Sequence, residues 1–106
     1  MKVSEIVMQD VADYIRLDEV SAEDEKHLTN SLIVAKKFIK NYTGLTNEEI
    51  DTHEDFYIVV LVLCEDMYDN RTLKVDKNNL NKVVTTILGF HDNNLLWQIQ
   101  ESIIKE

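Results

Sequence analysis

The chain has 106 residues, 44% of them hydrophobic, which is enough for one domain with a modest core and no need of disulfide or metal staples. Twenty acidic residues against eleven basic ones give a net charge of −9, spread evenly: residues 1–53 hold eleven acidic and six basic side chains, residues 54–106 nine and five. No basic patch stands out, which argues against binding nucleic acid by phosphate neutralisation.

The first predicted helix runs from Ser4 to Arg16, where Val7, Val11, Tyr14 and Ile15 recur at helical spacing and Ser4 can cap the exposed amides. The polar stretch Asp18 to Ser21 stops it. Ser21 and Asp24 then form a capping pattern for the second helix. Glu23, Asp24 and Glu25 sit where the helix dipole favours negative charge, Lys36, Lys37 and Lys40 where it favours positive. Leu28, Leu32, Ala35, Ile39 and Tyr42 make its apolar stripe, and Gly44 can end it at positive φ. A short turn over Thr46 to Ile50 precedes a third helix from Thr52, with Asp55 three residues on, to Asp69. Its run Phe56 to Cys64 is apolar on most sides and rich in β-branched residues. The pattern continues through Met67 and Tyr68, too far for a typical strand, so we read a central or interface helix.

Arg71 to Asn79 reads as a polar loop. The fourth helix covers Asn79 to Leu88, with Leu80, Val83, Val84, Ile87 and Leu88 at amphipathic spacing and Gly89 as its end. After the break His91 to Asn94, the tail places Leu96, Ile99 and Ile103 along one side with Trp97 close by. The expected fold is all-α: a small bundle of four main helices with a short extra turn, spanning residues 1–92, and a helical tail over 93–106. The tail either folds back on the core or packs on a partner, since so much apolar surface is costly to leave in water.

No catalytic, cofactor or metal constellation emerges, and no enzyme is expected. His27 follows Glu23 and Asp24, His53 lies among Glu49, Asp51, Glu54 and Asp55, and His91 adjoins Asp92; in so acidic a chain these pairings arise by chance and read as solvated surface. Cys64, the one cysteine, sits in the apolar run and reads as a buried thiol; a single thiol also fits a reducing compartment. The opening residues Met1 to Gln9 lack a signal-peptide pattern. The longest apolar run has nine residues, against about twenty for a membrane span, so a soluble protein made in a cytoplasm is expected, with no membrane partner. Met67-Tyr68-Asp69-Asn70-Arg71 reads as a helix C-terminus with Asn70 as the left-handed cap and Arg71 near the last carbonyls. Tyr68, Asn70 and Arg71 are candidates for contact with a neighbouring subunit, because Tyr and Arg are favoured at interface hot spots. Leu96, Trp97, Ile99 and Ile103 are the other candidates.

The order of these elements resembles the head–tail connector proteins of tailed bacteriophages. Val11-Ala12-Asp13-Tyr14-Ile15-Arg16-Leu17-Asp18 resembles their first helix and its Tyr-Leu-Arg-hydrophobic-Asp close. The second helix, with Asp24, Leu28, Ala35, Ile39 and Tyr42 before Gly44, resembles their next element. Met67-Tyr68-Asp69-Asn70-Arg71 resembles a hydrophobic-Tyr-x-Asn-Arg signature, and Val83 to Leu96 the final helix and its Leu-containing end. The likeness spans residues 3–96; the loop Lys74 to Asn79 and the tail beyond Leu96 depart from it. It implies a head-completion adaptor in the neck of the virion, made in the host cytoplasm. Copies would form a ring, dodecameric by the resemblance, between the portal protein and a tail completion protein. DNA would pass through the channel without sequence-specific binding, and an acidic lining would keep phosphates from adhering. Such a subunit catalyses nothing and holds no cofactor. The apolar helical surface, large for so small a domain, fits subunits that cover one another around an axis. The alternative is a small acidic regulatory protein that binds a host or phage factor.

Overall fold

Five α-helices follow one another along residues 1–91, the part of the chain that the computed structural model describes: α1 (Met8–Tyr14), α2 (Ala22–Thr43), α3 (Asn47–Asp51), α4 (Phe56–Asp69) and α5 (Lys82–His91). Two short 3₁₀ turns, Val3–Glu5 and Lys77–Asn79, complete the described elements, and there is no strand among them. The fold is all-α, and the chain's β-branched run is helix.

The longest helix starts and stops where its residues dictate. Ser21 Oγ accepts from the Asp24 amide at 3.0 Å and the Asp24 carboxylate accepts from the Ser21 amide at 3.3 Å, closing the reciprocal cap. At the other end Gly44 takes φ 73°, and its amide reaches the Lys40 carbonyl at 3.0 Å. Leu28, Leu32, Ala35 and Ile39 are buried as the stripe requires, Ser31 and Phe38 are buried with them, and Tyr42 is half-buried.

Packed antiparallel against α2 lies α4, its end beside the start of α2, where Tyr68 meets Asp24. Phe56, Val59 to Cys64 and Met67 are all buried, and α1, α2 and α5 of the same chain cover them. This helix is therefore central. The apolar surplus expected to need neighbouring copies is, on α4, covered within the chain; only Ile58 of its large hydrophobics is exposed.

Boundaries differ at three places. The first helix begins at Met8, not Ser4, because Ile6 and Val7 are extended and break the register set by the Val3–Glu5 turn. Ser4 caps nothing there; its amide donates to Asp51 Oδ1 at 3.0 Å, and the Asp10 carboxylate caps the Val7 amide at 2.9 Å. Val7 and Tyr14 consequently face out, and Val3 and Ile6 go into the core. Thr52 ends α3 instead of starting α4, its hydroxyl donating to the Glu49 carbonyl at 2.6 Å.

The third difference is the last helix, which starts at Lys82 instead of Asn79, since Asn81 accepts from the Val83 amide at 2.8 Å and caps it there. Val84 and Leu88 are buried, Leu80 and Ile87 are half-buried, and Val83 is exposed. Gly89 does not end the helix, which runs on to His91. A Cβ at Gly89 would meet nothing within 4 Å. Gly89→Ala should therefore raise stability by about 0.5–1 kcal/mol, through lower chain entropy in the unfolded state. A denaturation midpoint that falls would contradict that.

Candidate interface at one end of the bundle

Three helix ends meet where α2 begins: the C-termini of α1 and α4 and the capping box of α2. Tyr68 is half-buried there, and its phenol donates to Asp24 Oδ1 at 3.2 Å. Asp24 thus holds the α2 cap and anchors α4 together. Hydrogen bonds from Ser21 hold its carboxyl below the usual carboxylate range, with lesser help from Tyr68 and Arg71. The His27 ring meets Tyr68 edge-on at 6.0 Å and 74°. His27 Nε2 lies 3.2 Å from the Thr72 carbonyl, which can only accept, so Nε2 carries the proton. Its Nδ1 is buried with no hydrogen-bond partner among the described residues. His27 is thus a half-buried contact residue and not the solvated surface residue its acidic neighbours implied.

The end of α4 is a Schellman closure. The Thr72 amide bonds the Met67 carbonyl at 3.0 Å and the Arg71 amide the Tyr68 carbonyl at 3.2 Å. That register puts the left-handed residue at Arg71, φ 51°, and not at Asn70, whose φ is −91°. Asn70 instead turns its side-chain amide onto the Asp66 carbonyl at 2.8 Å. The Arg71 guanidinium packs over the Tyr68 ring, 4.7 Å from its centroid, a contact worth about 0.5–1 kcal/mol at an exposed site. α1 closes in the same way: the Leu17 amide reaches the Ala12 carbonyl at 3.0 Å, the Arg16 amide the Asp13 carbonyl at 3.2 Å, and Arg16 takes φ 62°. Tyr14, near that end, lies close enough to α4 that burial, then Glu65 and Asp66, push its phenol up.

Tyr68, Asn70 and Arg71 are therefore brought together, with Arg71 exposed and aimed by the ring beneath it. Leu96, Trp97, Ile99 and Ile103 lie outside the described residues. Sequence reasoning missed Asp24 and His27 as the supports of Tyr68, because their contacts span more than forty residues of chain.

Beside this end, a groove of about 790 Å³ opens between α4 and the loop that follows it, with Leu63, Met67, Val75 and Leu80 among its lining and Asp66 and Asn70 on its rim. Cys64 is buried, and burial pushes its thiol up to about 11, so it stays protonated at neutral pH. Among the described residues no three His, Cys, Asp or Glu side chains converge as a metal site would need. None of the described helices is long and apolar enough to cross a membrane. What the Tyr68–Arg71 arrangement can do is present a rigid cation and an aromatic edge to a partner. No protein-family model, curated protein or solved structure matches the chain.

Proposed function

We propose that this chain is a structural subunit of a tailed-phage head–tail connector. Copies join into a ring in the virion neck between the portal protein and a tail completion protein, and DNA passes along the axis without sequence-specific contact. The chain is made in the host cytoplasm and acts by assembling, not by catalysis. Likeness in the order of its elements supports this reading, from Val11–Asp18 to Met67–Arg71.

The observation that carries it is the pair of arginines at positive φ. A left-handed conformation costs a non-glycine residue about 1–2 kcal/mol, and glycine would close either helix without that cost. A guanidinium retained at such a position, exposed and seated on Tyr68, is better explained by a partner than by the fold.

Arg71→Gly separates the two roles. It supplies the residue the backbone prefers and removes only the guanidinium. Its monomer stability should stay within about 1 kcal/mol of the parent, since relief of strain offsets the lost ring contact. Ring assembly, alone or on the purified portal protein, should be lost in sedimentation and negative-stain images. Assembly that survives Arg71→Gly combined with Tyr68→Ala would remove this end from the interface. A parent chain that never forms a ring, with or without the portal, would overturn the connector reading in favour of a small acidic binding protein.

A further inference from the structure

The cations that sequence reasoning assigned to the dipole of α2 also line a groove. It measures about 470 Å³ and runs where the second half of α2 passes α3 and the N-terminal turn, lined by Ile33, Lys36, Lys37 and Lys40 on one wall. Ile33, Lys37 and Lys40 are spaced i, i+4, i+7, so they share one face of the helix, and all three are exposed. Lys36 is engaged, its Nζ donating to the Ile6 carbonyl at 3.1 Å. Lys37 and Lys40 make no hydrogen bond or ion pair with the described residues. On the facing wall Asp51 is already engaged by the Ser4 amide.

The opposite end of the α2–α4 pair is mainly acidic, with Arg71 over Tyr68 as a cation there. Glu65, Asp66 and Asp69 crowd the last turns of α4 beside exposed Tyr14. Burial, then Asp69, pushes the Asp66 carboxyl up. Because α4 runs back along α2, this acidic end lies by Asp24. Lys37 is thirteen residues further along the helix, roughly 20 Å away.

We propose that the Lys37–Lys40 groove receives the Glu65–Asp69 end of a second copy, making this a subunit contact of the ring beside the one made by Arg71; the inference rests on the connector reading. Two chains of net charge −9 repel, so a meeting of copies is favoured where local charges are complementary. A contact between like patches would set lysine against lysine. Groove against acidic end is a heterologous contact, the kind that closes a ring when its rotation about an axis divides the full turn. Exposed Ile33 beside the lysines gives the contact an apolar part that salt does not screen.

The test is a charge swap in the full chain. Lys37→Glu with Lys40→Glu, and separately Glu65→Lys with Asp69→Lys, should each weaken self-association about tenfold or more, read by sedimentation across a concentration series. The chain carrying all four changes should recover it. Association of the parent should weaken between about 0.05 M and about 0.5 M salt, as screening shortens the reach of surface charge. If a reversal loses its helical circular dichroism, Lys37→Gln with Lys40→Gln and Asp69→Asn take its place, with a smaller loss expected. A parent that assembles while both reversed variants assemble equally well overturns this contact and leaves the ring standing. A parent that stays monomeric at every concentration and salt, with and without portal, overturns both. Self-association unchanged, with retention of a short DNA duplex lost in the Lys37→Glu, Lys40→Glu variant, overturns it in favour of a phosphate site.

Discussion

Val60→Asp should leave most of the chain unfolded at room temperature. Val60 is fully buried on α4, with Val59 and Leu61 to Cys64 buried around it and α1 and α2 packed on the helix. A carboxylate placed there loses its water, or it takes up a proton and leaves a polar group unpaired; either route costs several kcal/mol. A domain of this size is stable by about 5–15 kcal/mol in all, so a loss of about 4 kcal/mol or more removes most of the margin. Ile58→Asp is the control. Ile58 lies on the same helix but is 36% exposed, and a charge there can reach water; its cost should be about 1 kcal/mol or less. Urea denaturation followed by circular dichroism gives both numbers. Equal, mild losses at the two positions would mean that α4 is not the central helix of the bundle.

How much of this was legible in the residues depends on how local the decisive contact is. α2 was readable from end to end because its signals lie within four residues of one another: the Ser21–Asp24 box, the stripe at three- and four-residue spacing, and Gly44. The same kind of signal misled at Thr52. Thr52 with Asp55 looks like a start, yet the Thr46–Glu49 pair upstream closes its own box at 3.2 and 3.1 Å and takes the helix start for itself. α1 was misplaced because Val7 fits a helical stripe in isolation. Only the burial of Val3 and Ile6, and the long-range bond from Ser4 to Asp51, set the chain's true register. Gly89 reads as a stop on propensity alone, although a glycine inside a helix costs only about 1 kcal/mol and the buried Leu88 before it holds the turn.

At the candidate interface the split is similar. The helix end at Tyr68–Arg71 was legible, but the left-handed residue was assigned by preference to Asn70. The register is fixed by the Thr72-to-Met67 bond, which puts Arg71 there against its own preference. The lysine groove went unseen because each lysine already had a local explanation in the helix dipole. Its second wall comes from Val3, Ile50 and Asp51, far away in sequence.

Phe56→Ala should cost about 3–5 kcal/mol, the usual range for emptying a fully buried aromatic site. Phe56 is the first residue of α4, and the Asp55 side chain before it does not cap the helix. Packing helps to hold the start of the central helix, with the His53 ring 5.2 Å from that of Phe56 and the α3 end immediately upstream. Removing the ring deletes core contact and anchor together. The loss should therefore appear unevenly: amide exchange at Val59 to Leu61, the first intrahelical bonds, should quicken more than at Cys64 to Met67, where the Schellman closure and the Tyr68–Asp24 bond remain. Exchange that quickens uniformly along α4 would show that the helix has no separately anchored end. A cost below about 1 kcal/mol would contradict the burial of the ring.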